Sequence, residues 1–278
     1  ILHPPRSTLF PYTTLFRSAT GLPSRPEGRL EIEAAPQGKA LAVNTRFAYQ
    51  ENTLLLTEFD ASLSEDNRVT GQLSLAQGQK LPRADLVLAL RDLTPIGTML
   101  ARPLAGSVIG DLALEGTQTL RFEIETDNLS ASDFSLAHAR LSVTVNEPLS
   151  SMRTRIELNG TALAAQGGAL QDFKATLNGD RDALDFDASA TGILRDDLPF
   201  AMQTDGAASV ANMALRVARL EATAADFPVA LTAPLEARLT ESGFVLSETA
   251  LSIADGEIRI GGDFASEAVA ARAFWNNL

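Results

Sequence analysis

Alternation of apolar and polar residues between positions 226 and 264 is the feature that most restricts the fold of this chain. Leu235, Ala237 and Leu239 alternate with polar residues, and so do Ile258 and Ile260 further on. Successive side chains of a β-strand point to opposite faces of its sheet. The stretch therefore predicts a meander of strands with one apolar face and one hydrated face.

The turns of this stretch lie between its alternating segments. Glu241-Ser242-Gly243 and Asp255-Gly256 are typical of tight turns, because Gly and Asp tolerate the positive φ that hairpins require. The stretch is interpreted as four consecutive strands. We expect eight of their apolar residues to share one side of a curled sheet: Leu235, Leu239, Phe244, Leu246, Leu251, Ile253, Ile258 and Ile260. Their neighbours are expected to face water: Glu236, Arg238, Glu257 and Arg259.

Similar segments recur along most of the chain. Further strands are predicted at residues 30–34, 40–49, 53–63, 69–76, 85–90, 108–114, 119–125, 134–145 and 153–163, with a break at Glu147-Pro148. Turn signals recur at roughly the 8–12-residue spacing of all-β proteins. Aromatic residues make up only 6% of the chain, which favours an elongated, open sheet over a thick closed core. The predicted fold class is all-β.

Two short helices are expected to interrupt the strands. Thr94 is a suitable N-cap, Pro95 suits the first helical turn, and a helix over residues 95–102 would end before Pro103. The Ala-rich segment from Ser266 to Trp275 predicts a second helix, capped by Ser266.

The two ends of the chain differ from the rest. Residues 8–18, TLFPYTTLFRS, closely resemble the translation of a common sequencing adapter. We therefore expect residues 1–18 to be disordered, dispensable and absent from the natural protein. Residues 19–278 are interpreted as one β-rich segment and as an internal fragment of a longer protein.

Charge and composition narrow the functional classes. The net charge of −12 and the scattered Arg and Lys residues argue against a nucleic-acid-binding surface. The absence of Cys excludes disulfides and thiol catalysis. No run approaches the roughly 20 apolar residues of a membrane-spanning helix.

Catalytic and metal-binding patterns are weak. His138 is the only His outside the first 18 residues, so a His pair is excluded there, and we expect an ordinary polar residue on a strand. Residues 178–182, NGDRD, have alternating acidic residues but lack the later Gly and Glu of a calcium loop, which favours a hydrated turn. We predict no enzyme activity, no cofactor and no metal.

Several segments, in order, resemble the TamB family of translocation and assembly proteins. They are residues 100–116 (LARPLAGSVIGDLALEG), 198–206 (LPFAMQTDG), 215–220 (LRVARL), 227–235 (FPVALTAPL) and 255–262 (DGEIRIGG). In this family a short helix ends in a Pro-Leu step and leads into a strand of alternating Leu. The likeness covers roughly residues 28–265.

The resemblance implies an AsmA-like envelope protein of Gram-negative bacteria. Such proteins cross the periplasm from one inner-membrane helix, which this fragment would lack, and fold as a β-taco, a curled sheet with an apolar groove. They pair with the outer-membrane barrel TamA and are implicated in outer-membrane protein assembly and phospholipid transport. The eight apolar residues of the stretch 226–264 would then line a groove for acyl chains.

Elementary energetics agree with this role, and two other classes stay open. Burying an acyl chain contributes about 0.8 kcal/mol per CH₂ without fixing its position, so a lipid can slide along an aliphatic surface.

A secreted β-solenoid of adhesin or autotransporter type would instead enclose its apolar residues, with a repeat of roughly 20–30 residues. An enzyme on a β-scaffold is the third class, and the motifs disfavour it.

Overall fold

The computed structural model describes most of the chain. The described residues are 13–20, 25–35, 38, 40–194, 197–240, 243–265 and 269–276. For residues 13–20, 265 and 269–276 the description is confined to the backbone. The chain divides into two units, Ile1–His138 and Ala139–Leu278, and each is treated by itself.

The described residues of the first unit form strands and one helix. They are β1 (Thr13–Thr20), β2 (Glu27–Ala34), β3 (Leu41–Gln50), β4 (Thr53–Leu63), β5 (Asn67–Ala76), β6 (Arg83–Leu90), helix α1 (Thr94–Met99), β7 (Leu104–Glu115) and β8 (Thr119–Ala131). The division between the units falls within β9 (Phe134–Asn146).

The second unit consists of strands. They are β10 (Arg153–Ala165), β11 (Gly168–Gly179), β12 (Leu184–Leu194), β13 (Leu198–Ser209), β14 (Ala214–Ala224), β15 (Phe227–Leu231), β16 (Leu235–Thr240), β17 (Gly243–Ile253), β18 (Gly256–Ala265) and β19 (Val269–Asn276).

Antiparallel pairing of sequential strands organises both units. In the first unit each strand from β1 to β7 pairs with the next strand along the chain. In the second unit the same order runs from β10 to β14. After β14 the order changes, because the short strands β15 and β16 both lie between β14 and β17 and each pairs with both of them. The prediction of an antiparallel, all-β fold is confirmed, because short hairpins join alternating segments.

Bulges keep one face of each sheet apolar where the sequence alternation slips. In β4 the register shifts between Leu56 and Phe59, and Glu58 there has a φ of 52°. A bulge adds a residue to one strand and so returns the following side chains to the original face. Leu54 and Leu56 before the shift therefore share a face with Phe59 after it, although the sequence parity changes.

Rows of directly opposed residues run across these faces. In the first unit one row passes through every strand from β2 to β8 and consists of Ile32, Val43, Ala61, Val69, Leu88, Gly110 and Ile124. In the second unit a comparable row consists of Leu177, Phe186, Gly206, Val217 and Leu235. Each unit thus has a continuous apolar face, because opposed residues of neighbouring strands point the same way.

Two phenylalanine rings lie over glycines on the apolar face of the second unit. Gly160 is opposite Phe173 and Gly206 is opposite Phe186. A Cβ on Gly206 would lie 2.7 Å from the ring tip of Phe186, and one on Gly160 would also meet the Phe173 ring. Only glycine leaves room for an aromatic side chain to lie flat across the neighbouring strand.

The predicted helix is present in the first unit with slightly different bounds. Helix α1 spans Thr94–Met99, with Pro in its first turn. The N-cap is Leu93 and not Thr94, and no side chain caps the helix. Instead Asp92 Oδ1 accepts a hydrogen bond from the Thr94 backbone at 2.9 Å. Leu93 is buried, so packing of this apolar residue fixes the helix start.

The predicted second helix is wrong. Val269–Asn276 form strand β19, which pairs antiparallel with β18 from Phe264↔Val269 to Glu257↔Asn276. Val269 and Trp275 both occupy odd positions, as the alternation of a strand requires, and β-branched and aromatic residues such as these favour strands. Pairing with the open edge of β18 outweighs the helix propensity of the alanines. Ser266, the expected cap, lies outside the described residues.

The expected disorder of residues 1–18 differs from the structure in the last third of that segment. Thr13–Thr20 form β1, which pairs with β2 through eight opposed positions from Thr13↔Ala34 to Thr20↔Glu27. The run of Thr, Leu and Phe has high β-propensity, and β2 offers an unpaired edge to it. Residues 1–12 lie outside the described part, and the proposed adapter origin stays a prediction.

Candidate functional site: an exposed apolar sheet face

The eight predicted residues lie on one face of the second unit. Leu239 is opposite Phe244, and Leu251 is opposite Ile258. Leu235 and Leu246 belong to the same face, as both share it with Ala237. Ile253 and Ile260 follow from the alternation along β17 and β18. The register therefore brings together Leu235, Leu239, Phe244, Leu246, Leu251, Ile253, Ile258 and Ile260.

A bulge in β17 makes this shared face possible. The register shifts between Leu246 and Thr249, with Ser247 and Glu248 in the shifted segment. Phe244 and Leu246 occupy even positions, whereas Thr249 and the apolar residues after it occupy odd ones. Two consecutive polar residues at 247 and 248 interrupt the alternation and are the sequence signal for the bulge.

Much of this face is accessible to solvent. Leu239 is 55% exposed and Phe244 is 43% exposed. The Phe244 ring stacks on Phe264 of β18, with centroids 4.5 Å apart. Among the described residues the buried apolar ones are few and small: Ala34, Leu93, Ala139, Leu184 and Ala190. The other six of the eight residues are half-buried, so the accessible part of this face centres on Leu239 and Phe244, and exposed apolar surfaces are typical of binding sites.

The opposite face of the same strands is charged. Glu236 and Arg238 lie in β16 on the side away from Leu239, and both are exposed. Arg259 Nε lies 2.6 Å from Glu257 Oε1 on this polar face. Arg216 of β14 lies 3.5 Å from Glu236. Exposed pairs of this kind contribute at most about 1 kcal/mol each, so their main effect is to keep this face hydrated.

A break between β15 and β16 is held by side-chain hydroxyls. Residues 232–234 lie between these strands, where ladder hydrogen bonds are interrupted. Thr249 is 2% exposed, and its Oγ1 donates a 2.8 Å hydrogen bond to the Ala233 carbonyl. The Thr232 backbone N–H donates to the Ala250 carbonyl at 2.8 Å. Thr249 thus satisfies a backbone group while its own polarity interrupts the apolar face.

The predicted turn after β17 is present but displaced by one residue. Ile253 is opposite Gly256, so the two-residue loop is Ala254-Asp255 and the positive φ of 50° belongs to Ala254. Gly256 begins β18 and is buried. The turn before Gly243 falls at Glu241 and Ser242, which lie outside the described residues.

A cleft of about 1090 Å³ borders the apolar face in the second unit. Leu215, Ala237 and Leu239 contribute apolar surface to it. Arg216 and Arg238 contribute charged groups from the polar face. Asp182 and Glu236 line it as well, so the recess beside this face has apolar residues together with charges of both signs.

The predicted turn is present but begins later, because Asn178 and Gly179 belong to β11 and the turn consists of residues 180–183. The Oδ1 atom of Asp180 accepts hydrogen bonds from the backbone of Asp182 at 2.9 Å and of Ala183 at 3.1 Å. This carboxylate accepts its hydrogen bonds from backbone groups of the same loop, and these bonds close the loop between β11 and β12.

Two carboxylates among the described residues have lowered pKa values. Hydrogen bonds from Arg68, followed by its positive charge, lower the pKa of Asp60, and one of these bonds, from Arg68 Nε, is 2.8 Å long. The pKa of Glu147 is lowered first by the Ser151 hydroxyl, 2.8 Å away, and then by the charge of Arg153. Both carboxylates hold turns or strand pairs, so their ionisation contributes to folding above acidic pH.

One group of potential metal ligands in the first unit was missed by the sequence analysis. His138 lies on a strand as predicted, but Glu125 and Asp127 of β8 accompany it. Asp127 lies four residues before the last residue of β8, and His138 lies four residues after the first residue of β9. Counting from that loop is the signal that would have placed them together, since a short hairpin sets the register.

Comparison with known proteins returned no match from protein-family models, curated proteins or solved structures. Within the described residues, no helix combines the length and apolar character needed to cross a membrane.

Proposed function

We propose that this chain is an internal segment of a TamB-like protein of the Gram-negative cell envelope. In this proposal its apolar face carries the acyl chains of phospholipids between the inner and outer membranes. The full-length protein would be anchored in the inner membrane, cross the periplasm and meet the barrel TamA during outer-membrane protein assembly.

The observation that supports this proposal is the apolar face of the second unit. Eight aliphatic or aromatic residues share that face on three consecutive strands, and Leu239 and Phe244 are largely accessible. Aliphatic side chains attract an acyl chain without directional bonds, so positions along the face are nearly equivalent. A chain that moves along such a surface breaks no hydrogen bonds, which is the property a conduit needs.

Strand direction argues against the β-solenoid alternative. Solenoid coils of the β-helix type stack parallel strands. Among the described residues of the second unit, these strand pairings are antiparallel and follow the chain order. A meander of hairpins exposes a whole sheet face, whereas a closed coil encloses it.

Lipid bound to the purified chain tests the proposal. Phe244 and Val245 are adjacent, 43% and 37% exposed, and lie on opposite faces of β17. Mass spectrometry of organic extracts should detect phospholipid with the parent chain and with Val245→Asp. Phe244→Asp should retain several-fold less.

Two results would contradict the proposal. One is a parent chain that carries no more lipid than an unrelated protein purified in the same way. The other is equal retention by Phe244→Asp and Val245→Asp, with both variants folded by circular dichroism. Equal retention would mean that the lipid does not distinguish the two faces.

A further inference from the structure

A cluster of one imidazole and two carboxylates lies on the hairpin of β8 and β9 in the first unit. His138 Nδ1 lies 2.9 Å from Asp127 Oδ1, and His138 Nε2 lies 3.9 Å from Glu125 Oε1. One ligand atom from each residue can be chosen so that all three lie within 4.8 Å of one another. The cluster is independent of the apolar face and of the function proposed for it.

The charge of the cluster is unbalanced. Asp127 and Glu125 both approach the same imidazole. With a neutral imidazole, two negative charges therefore share one polar side chain. A dication at this point would neutralise both carboxylates and replace their mutual repulsion with two attractive contacts.

The ligand types indicate which dication fits. Imidazole nitrogen suits Zn²⁺, Cu²⁺ and Ni²⁺, whereas Ca²⁺ and Mg²⁺ prefer oxygen ligands. Zn²⁺ binds His nitrogen and carboxylate oxygen at about 2.0–2.2 Å, so three ligands around it lie roughly 3–3.5 Å apart. One ligand atom from each residue lies within 4.8 Å of the others, and because Asp127 contacts Nδ1 and Glu125 contacts Nε2, one carboxylate must rotate towards the nitrogen that binds the ion.

The placement on the hairpin suits an accessible site. Two of the ligands come from β8 and the third from β9, so backbone pairing holds their Cα atoms. The side chains of Glu125, Asp127 and His138 are 43%, 49% and 42% exposed. An ion can therefore enter from solvent, and water can complete its coordination.

We propose that Glu125, Asp127 and His138 bind a divalent transition-metal ion of the Zn²⁺ class. Zn²⁺ titrated into the tag-free, metal-stripped full chain should give saturable one-to-one binding by calorimetry. His138→Ala and Asp127→Asn should each weaken it by at least about tenfold, a loss seen even when groups behind the ligands are removed. Ca²⁺ at the same concentration should not compete.

Matched controls separate the site from general acidity. Asp111→Asn removes an exposed carboxylate of β7 from the same unit and should leave the Zn²⁺ affinity unchanged. His3 is the other His of the chain and is kept in every variant. Circular dichroism of each variant establishes that it is folded before titration.

Three outcomes would overturn the proposal. The first is a parent chain that shows no saturable Zn²⁺ binding up to millimolar ion. The second is Zn²⁺ binding by the folded His138→Ala and Asp127→Asn variants that is as tight as in the parent. Competition by Ca²⁺ at equal concentration would indicate an oxygen-only site elsewhere.

Discussion

A charge placed on the apolar face should be tolerated where that face is open and not where it is buried. Leu239 and Leu184 test this, since both belong to the apolar face of the second unit. Leu239 is 55% exposed, whereas Leu184 is 7% exposed. We consider Leu239→Asp and Leu184→Asp, with the Ala variants of both positions as controls for lost volume.

The expected magnitudes follow from these exposures. Fully burying a Leu side chain contributes about 1.5–3 kcal/mol, and Leu239 retains less than half of that burial. Leu239→Asp should therefore lower the free energy of unfolding by about 1 kcal/mol, because the new carboxylate can stay hydrated. Leu184→Asp loses nearly the whole transfer free energy and adds an unpaired buried charge, for a total of about 4 kcal/mol.

Urea denaturation followed by circular dichroism measures both changes. The midpoint should move far more for Leu184→Asp than for Leu239→Asp, with similar m-values for the two variants. Equal losses at the two positions would refute the reasoning, because they would show that Leu239 is enclosed in a core. A large loss for Leu239→Asp with a small loss for Leu239→Ala would lead to the same conclusion.

Three further predictions concern stability. Thr249→Val keeps the side-chain shape but leaves the Ala233 carbonyl without its donor, so denaturation should show a loss of about 1–3 kcal/mol, and a change below about 0.5 would contradict the hydrogen bond. The pKa values of Asp60 and Glu147 are lowered in the folded chain. The contribution of these two carboxylates to the free energy of unfolding is therefore complete above the usual carboxyl pKa of about 4, and it is lost as the pH falls through their lower folded pKa values. Asp60→Asn and Glu147→Gln should therefore reduce stability at pH 7 and flatten its decline on acidification, as followed by thermal melts; an unchanged pH profile would contradict this. Gly160→Ala should lower the melting temperature because its Cβ meets the Phe173 ring, and an unchanged or higher value would show that the ring moves freely.

Period-two alternation predicted most of the strands because burial of one face dominates their energetics. Thr53–Leu63 begins and ends where the pattern does, and the break at Glu147-Pro148 falls between β9 and β10. Alternation also predicted that the apolar residues within each run share a face, whereas the bulge in β17 brings Phe244 and Leu246 to the face of Leu251 and Ile253. These features depend on local sequence, so a single chain was sufficient to predict them.

Features that depend on pairing partners were harder to predict. The segment ending at Trp275 has the composition of a helix, but the edge of β18 selects a strand. Thr13–Thr20 likewise pair with β2, whatever their origin. The bulge at Ser247 and Glu248 is visible as two consecutive polar residues, but only the register shows that it preserves the face.

The cluster at His138 illustrates the same limit for sites. Glu125 and Asp127 precede His138 by 13 and 11 positions, and no spacing motif connects them to it. Their proximity results from the hairpin of β8 and β9, which places Asp127 against His138 at 2.9 Å. Motif searches address neighbours in sequence, whereas this cluster is formed by neighbours across a sheet.

Photo-crosslinking on β17 tests the central claim most directly. Leu251 and Ser252 are adjacent, and they point to the apolar and polar faces respectively. A photoreactive amino acid at position 251, irradiated in cells, should form a phospholipid adduct that mass spectrometry detects. The same group at position 252 should form little or none. Equal adducts at both positions, or none at position 251 in a folded protein, would contradict an apolar face that carries acyl chains.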